Sequence, residues 1–138
     1  MSYLLDTNVI SELRKGSRAD RNVSSWFSGL ADEEIFLSAL TLGEIRRGIE
    51  SIRRRDAKTA STLESWLGRI ADQHGNRIVP IDRAIADEWG RMNAPDPLPV
   101  VDGLLAATAK VVGLTLATRN TADIERTSIS YVNPFSPR

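Results

Sequence analysis

Four acidic residues have the type and placement to do chemistry together, namely Asp6, Glu44, Asp102 and Asp123. Carboxylates gathered in one crevice repel one another strongly unless a cation neutralises them. Oxygen ligands suit hard divalent ions, so the set predicts binding of Mg²⁺ or Mn²⁺. Paired ions of this kind stabilise both the attacking and the leaving oxygen of a phosphodiester displacement. The acids therefore favour hydrolysis of a phosphodiester bond.

The composition excludes several other kinds of site. The 138-residue chain has no cysteine, so disulfides and thiolate metal sites are excluded. His74 is the only histidine, which excludes a histidine-rich zinc site and leaves a Ser-His-Asp triad dependent on that residue alone. Lys and Arg total 18 and Asp and Glu total 18, and this zero net charge argues against a protein that coats nucleic acid through bulk charge.

Short strand-like segments alternate with helical patterns along the chain. Apolar residues recur at helical spacing around Trp26, Trp66 and Trp89, and these side chains are interpreted as core residues rather than base-stacking platforms. The alternation predicts a single three-layer α/β/α domain over residues 1–138, with a central, mostly parallel sheet of about five strands. The predicted strands are Tyr3–Leu5, Ile35–Ser38, Ile78–Ile81, Leu114–Ala117 and Ser130–Val132.

The four acids are expected at one edge of this sheet, because the working crevice of an open parallel sheet lies beyond the carboxyl ends of its strands. Asp6 directly follows the first strand, Glu44 is expected in the first turn of the helix after the second, and Asp123 follows the fourth. Asp102 needs one further step, in which the proline-rich segment 94–99 carries the chain back to that edge. An extended segment has the reach to do so.

Each acid also has a purely structural interpretation. The sequence Thr41-Leu42-Gly43-Glu44 fits a capping box, in which Glu44 would only cap its helix. Asp102 and Asp123 fit first-turn acids that complement a helix dipole, and Asp6 fits a turn or cap residue. The common edge favours the metal site over these separate roles.

Polar and basic residues accompany the acids. Thr7, Asn8, Thr118 and Asn120 are expected at the same edge, where they would orient metal-bound carboxylates or satisfy loop backbone groups. His74, before a glycine, is expected to end a helix rather than act as a base. Three arginines are candidates for binding RNA phosphate, although exposed helix surface is the ordinary role of such residues: Arg46, Arg47 and Arg119.

Four segments resemble the motifs of PIN-domain ribonucleases, in particular the toxins of bacterial VapBC-type toxin–antitoxin pairs. They follow one another in the order and with the separation expected for this family, and the resemblance extends over nearly the whole chain. Each segment alone is a weak match, and together they are specific. The segments are Leu4–Glu12, Leu40–Ile49, Asp102–Ala109 and Thr118–Asp123.

The resemblance implies a PIN-like fold and a metal-dependent endoribonuclease that cleaves tRNA or ribosomal RNA. Asp6, Glu44, Asp102 and Asp123 would ligate one or two Mg²⁺ or Mn²⁺ ions, supported by Thr7 and Asn120. It also implies a homodimer, inhibited by a cognate VapB-type antitoxin in a groove around Trp26 and residues 46–66. One departure is Ile124, where many relatives carry an aromatic residue.

Two other functions are compatible with the fold. One is a non-catalytic RNA- or protein-binding module. The other is a phosphotransfer enzyme with Asp6 as nucleophile, disfavoured because the nearest lysine in sequence is Lys15. No apolar run approaches the roughly 20 residues of a membrane span, and no signal-peptide pattern opens the chain, so we expect a cytoplasmic protein without a membrane partner.

Overall fold

A parallel sheet places the ends of all its strands along one edge. The computed structural model describes residues 1–137 and contains five strands in the order β3-β2-β1-β4-β5, with every neighbouring pair parallel. The strands are β1 (Tyr3–Leu5), β2 (Ile35–Ser38), β3 (Ile78–Val79), β4 (Thr115–Ala117) and β5 (Tyr131–Val132).

Helices connect the strands on both faces of the sheet. Short 3₁₀ turns at Gly16–Arg18, Asp32–Glu34 and Gly75–Arg77 complete the connections. None of the helices within residues 1–137 has the length and apolar character needed to cross a membrane. The helices are α1 (Thr7–Leu13), α2 (Arg21–Ser28), α3 (Ala39–Arg53), α4 (Ala57–His74), α5 (Arg83–Met92), α6 (Val100–Val112) and α7 (Thr121–Ile124).

The strands begin or end within two residues of the predicted bounds, and the differences have local causes. The predicted strand Ile78–Ile81 ends at Val79, since Pro80 has no N–H to donate to a neighbouring strand. The fourth strand begins at Thr115 because the N–H of Leu114 donates instead to the carbonyl of Ala109, closing the end of α6. Gly113 supplies the positive φ of 82° required at that helix end.

Two apolar cores cover opposite faces of the sheet. Leu5 and Leu37 face one core, which is filled by α1 to α4, whereas Leu4 and Leu116 face the other, which α6 covers. Neighbouring residues of one strand enter different cores because side chains alternate across a strand. This arrangement confirms the predicted three-layer α/β/α architecture.

The tryptophans pack within these layers. Trp26 is buried and meets Tyr3 edge to face, with ring centroids 5.1 Å apart. Trp66 packs partly buried against the same core. Trp89 is half-buried, and its indole nitrogen is enclosed without a hydrogen-bond partner in the described residues. Core packing is therefore confirmed for Trp26 and Trp66.

β1 is the central strand, and this position sets the geometry of the candidate site. It pairs with β2 on one side and with β4 on the other, with Leu5 opposite Ala117. The residues that follow these strands are therefore brought together from distant parts of the sequence.

Candidate active site

Asp6 directly follows β1, and hydrogen bonds from its backbone and its side chain hold it in place. Its backbone N–H donates to the carbonyl of Ala117, 2.9 Å away. One carboxylate oxygen accepts from the N–H of Thr7 at 2.6 Å, and the other accepts from the hydroxyl of Thr118 at 2.7 Å. Asp6 thus caps α1, as its structural interpretation required, while its carboxylate stays fixed at the strand edge.

Asp6 is 6% exposed, which is unusual for an acid that pairs with no basic side chain within residues 1–137. Burial raises its pKa above the ordinary value of 3.8, and the charge of Glu44 raises it further. The hydrogen bonds from Thr118 and Thr7 oppose that rise because they favour the charged form. A cation bound nearby would favour the charged form of this buried carboxylate.

Glu44 lies one turn deeper in its helix than expected. α3 begins at Ala39, and Ser38 is its N-cap, with a side chain that accepts from the N–H of Leu40. The expectation of a first-turn position is therefore wrong, and Thr41 cannot form the capping box because it lies inside the helix. Glu44 instead accepts a 2.5 Å hydrogen bond from the hydroxyl of Thr7, which ties α3 to α1.

Asp102 opens α6 at the same edge, as the reach of the proline-rich segment predicted. Asn93 shapes the connection that brings it there. The Asn93 side chain accepts from the N–H of Leu98 and donates to the carbonyl of Trp89, both at 2.7 Å. The pKa of Asp102 is raised first by burial and then by the charges of three other carboxylates: Asp6, Asp123 and Glu44.

Asp123 lies in the short helix α7, and its side chain is 46% exposed. A guanidinium nitrogen of Arg126 lies 4.0 Å from its carboxylate, the upper limit of an ion pair. The next residue, Ile124, is buried in the core beneath α6. An aliphatic side chain therefore packs into the core at the position where the sequence differs from the motif that it resembles.

The four acids share one electrostatic environment and offer only oxygen donors. Such a set suits Mg²⁺ or Mn²⁺, and the mutual repulsion that raises the Asp102 pKa is what a divalent ion would relieve. Within residues 1–137, however, no three acidic or histidine side chains are close enough to hold one ion between them. The residues fit the chemistry of such an ion, and three of the carboxylates would have to move closer together to share one ion.

The side chains of three of the four predicted polar neighbours contact the acids. Thr7 and Thr118 donate to Glu44 and Asp6, and the Asn8 amide lies 3.5 Å from the Asp6 carboxylate. Asn120 contacts this network only through its backbone N–H, which donates to the Thr118 hydroxyl at 3.0 Å. Its own side chain is exposed and forms no cap for α7.

The three candidate arginines have different surroundings. Arg46 pairs with Glu50 and Glu64 at 3.3 and 3.2 Å, within an ion-pair network that joins α3 to α4. Arg119 lies 4.2 Å above the ring of Phe135. Arg47 is exposed and lines a cavity together with Glu44. Arg47 therefore shares a cavity with one of the acids.

An apolar groove begins on the other side of Glu44 and runs beside α1. Cavities of about 290 and 260 Å³ share Arg14 and Trp66, and the guanidinium of Arg14 lies 5.8 Å from the Trp66 ring centroid. Trp66 therefore lies where the groove was expected, whereas Trp26 does not line it. His74 lines its far end, where its Nδ1 lies 3.0 Å from the carbonyl of Ile70, and it is the last residue of α4, as expected.

The packing behind Asp102 is one feature that sequence patterns do not reveal. A Cβ on Gly103 would lie 3.0 Å from the Asn93 amide and 3.1 Å from the indole nitrogen of Trp89. Gly103 thus permits α6 to start close to the end of α5. The only sequence signal is a glycine directly after the acid, which is weak by itself.

Comparison with known proteins places this geometry in context. A family model described as PIN domain matches residues 3–129. The chain is 33% identical to VapC ribonuclease Y4jK of Sinorhizobium fredii, over 97% of this chain and 98% of the relative. It is also 33% identical to toxin FitB of Neisseria gonorrhoeae, over 96% and 97% of the two chains.

Solved structures agree with the sequence relatives. A chain in the structure of FitAB bound to an IR36 DNA fragment superposes with a TM-score of 0.89. The two chains are 30% identical, and the match covers 99% of this chain and 97% of the other.

Proposed function

The chain belongs to the PIN-domain family, and we propose that it is a metal-dependent endoribonuclease, the toxin of a type II toxin–antitoxin pair. The observation that carries the proposal is the placement of Asp6, Glu44, Asp102 and Asp123, whose charges act on one another at a single sheet edge. Relatives of almost the same length are named as a ribonuclease and as a toxin.

In this proposal the four carboxylates hold one or two Mg²⁺ or Mn²⁺ ions. Bound ions would supply the charge that activates water and stabilises the phosphate oxygens during phosphodiester hydrolysis. Thr7 and Thr118 hold Glu44 and Asp6 in fixed orientations through their hydroxyls. Their role is positional, since neither hydroxyl replaces a carboxylate as a strong ligand.

The substrate that we propose is tRNA or ribosomal RNA, as the family resemblance implies. Arg47 is the arginine best placed to meet its phosphates because it lines a cavity with Glu44. Arg46 is occupied by two carboxylates, so we assign it to the α3–α4 contact instead. A phosphotransfer role for Asp6 has little support, since Lys15 pairs with Glu12 at 3.0 Å.

The partner that we propose is a VapB-type antitoxin that occupies the groove beside α1. The groove is apolar along most of its length and includes Glu44 at one end. A helical segment lying in it would present apolar residues to Trp66 and would reach the acids from the side. We also propose a homodimer, which light scattering of the purified protein tests directly.

The experiment that tests the activity is an RNA cleavage assay on protein stripped with EDTA and then given Mg²⁺ or Mn²⁺. Total tRNA and ribosomal RNA are the substrates. Asp6→Asn removes one carboxylate at the site, and Asp72→Asn, on the exposed face of α4, is the matched control. We expect discrete fragments that require metal, persist in the control and vanish in Asp6→Asn.

Metal-dependent cleavage that survives Asp6→Asn would show that the active site is elsewhere. Folded, metal-binding protein that cleaves no RNA would favour the non-catalytic binding module. Growth inhibition on expression of the chain, relieved by Asp6→Asn, tests the toxin assignment in the same set of variants.

A further inference from the structure

A cavity of about 440 Å³ adjoins the acids on the side opposite the groove. Three elements that meet at the carboxyl edge of the sheet form its walls: the start of α3, the chain leaving β3 and the start of α6. Glu44 lines the cavity directly, and Val101, on its wall, immediately precedes Asp102. Whatever enters the cavity therefore contacts Glu44 and lies near the start of the helix that carries Asp102.

The cavity is apolar with a single cation. Its other lining residues are Ala39, Leu40, Gly43, Pro80, Ile81 and Val101. Pockets of a few hundred Å³ with apolar walls and one or two polar groups are typical of small-ligand sites. Apolar walls of this kind can bury the flat, weakly polar faces of a nucleobase.

Arg47 distinguishes this cavity from an ordinary surface depression. It lies one turn after Glu44 on α3, and no carboxylate pairs with it within residues 1–137. The adjacent Arg46, by contrast, is held by two glutamates. An unpaired guanidinium beside an acidic site matches a phosphate that lies next to the bond being cleaved.

We infer that this cavity binds the base of a nucleotide flanking the cleaved bond, with Arg47 on that nucleotide's phosphate. The inference rests on the proposed ribonuclease function and adds a base preference to it. A nucleotide satisfies both features at once, because the base is flat and largely apolar on its faces and the phosphate is anionic. A purely apolar segment would leave Arg47 desolvated and unpaired.

Gly43 offers a way to fill the cavity without disturbing the core. A Cβ built at Gly43 has no atom within 4 Å, so Gly43→Phe would place its ring in the cavity rather than against the backbone. Gly68 on α4 is equally open and exposed, and it lines neither this cavity nor the groove. Gly68→Phe is therefore the matched control for the added aromatic ring.

The first test measures nucleotide binding without any cleavage. Metal-free protein is titrated with each of the four nucleoside 5′-monophosphates, and the methyl resonances of Leu40, Ile81 and Val101 are followed by NMR. We expect saturable shifts for at least one nucleotide, retained in Gly68→Phe and lost in Gly43→Phe. Inorganic phosphate alone should leave these methyl groups unshifted. Absence of nucleotide-specific shifts would overturn the inference.

The second test uses the RNA whose cleavage establishes the proposed function. Versions of that RNA carry each of the four bases, or no base, at the nucleotides on either side of the cut. We expect wild-type kcat/KM to fall about tenfold or more at one of these positions when the base is absent, because the apolar surface of the base is then no longer buried. Gly43→Phe should abolish that difference, and Gly68→Phe should keep it.

The outcomes separate the two proposals. Failure of the wild type to cleave RNA counts against the ribonuclease, while the nucleotide titration still tests the cavity. Cleavage with an unchanged base preference in Gly43→Phe counts against the cavity alone. Light scattering tests whether a second copy of the chain covers the cavity. In that case Gly43→Phe would lose the dimer and Gly68→Phe would keep it. This result would also overturn the inference.

Discussion

The hydroxyl of Thr118 donates a 2.7 Å hydrogen bond to the carboxylate of Asp6, joining residues 112 positions apart in the sequence. This bond links the ends of β4 and β1 at the centre of the acidic site. It also favours the charged form of Asp6, against the effect of burial. The hydroxyl therefore contributes both to the fold and to the ionisation of the acid.

Thr118→Val should destabilise the protein by about 1.5–3 kcal/mol, the usual contribution of a hydrogen bond to a charged group. The pKa of Asp6 should rise further, because a group that lowers it is lost. Thr118→Ser retains the hydroxyl and should behave like the wild type in ionisation. Chemical denaturation and carbon NMR of the Asp6 carboxyl measure the two effects. An unchanged pKa in Thr118→Val would rule out this role.

Asp102→Asn should raise the Tm of the metal-free protein while abolishing RNA cleavage. Burial and the charges of three neighbouring acids raise the pKa of Asp102 in the folded protein above 3.8, so its ionisation opposes folding. The folded state then holds more protons than the unfolded state, and stability falls as pH rises from 3.8 towards the raised pKa.

Asp102→Asn should therefore give no stabilisation at pH values below the ordinary Asp pKa of 3.8. The stabilisation should grow as pH rises from 3.8 to the raised pKa of Asp102 and stay constant at higher pH. Thermal unfolding of both proteins across pH, with EDTA present, gives the comparison. Asp72→Asn, at an exposed position on α4, serves as control and should show no such pH-dependent gain. A gain of equal size at pH values below the ordinary Asp pKa would contradict the electrostatic explanation.

Adding Mn²⁺ should reverse the order of stability. A ligand that binds only the folded state stabilises it by about 2.7 kcal/mol at 100 times its Kd. The wild type should gain this stabilisation, and Asp102→Asn should gain much less because one oxygen ligand is missing. Thermal shifts over a Mn²⁺ titration provide the measurement. Equal shifts in both proteins would mean that Asp102 does not contribute to the metal site.

Gly103→Ala should destabilise the protein by about 1–3 kcal/mol, as expected for overpacking. The added methyl group would lie 3.0 Å from the Asn93 amide and 3.1 Å from the Trp89 indole nitrogen. Because α6 would have to move, Asp102 would move with it, and cleavage should fall as well. Gly90→Ala on α5 meets no atom within 4 Å, and should be neutral or stabilising by about 0.4–1 kcal/mol. Chemical denaturation and RNA cleavage assays on the two variants measure these effects. Equal stability and equal activity of the two variants would contradict the prediction.

Arg46→Gln and Arg47→Gln, at adjacent positions, should have opposite consequences. Arg46 joins α3 to α4 through Glu50 and Glu64, so its loss should lower Tm, most clearly at low salt, with little effect on kcat/KM. Loss of Arg47 should leave Tm unchanged, lower kcat/KM about tenfold and reduce the salt dependence of RNA binding by about one phosphate contact. A lower Tm in Arg47→Gln together with a lower kcat/KM in Arg46→Gln would contradict the roles assigned to these residues.

The sequence predicted the architecture well because the alternation of strands and helices can be recognised from local patterns. The same alternation predicts a parallel sheet, and residues that follow its strands lie at one edge. The bounds of β1 and β2 agree with the structure, and Asp102 opens α6 as the reach of the proline-rich segment required. The family resemblance then identified the motifs that contain the four acids.

Details that depend on three-dimensional packing could not be predicted in this way. The start of α3 was misplaced because Thr41 and Glu44 imitate a capping box, whereas Ser38 is the actual cap. The pairing of Arg46 with Glu64 depends on how α4 lies against α3, and no periodicity encodes that contact. The cavity beside Glu44 is formed by three separate elements, so it becomes visible only once the chain is folded.

The central position of β1 has a consequence for the order in which the chain becomes active during synthesis. Asp6 is among the first residues made, yet the strand and the hydroxyl that hold it, β4 and Thr118, are among the last. A ribosome must therefore complete most of the chain before the carboxylates can meet. An incomplete nascent chain lacks the assembled site, and translation itself delays the moment at which the finished protein can act on RNA.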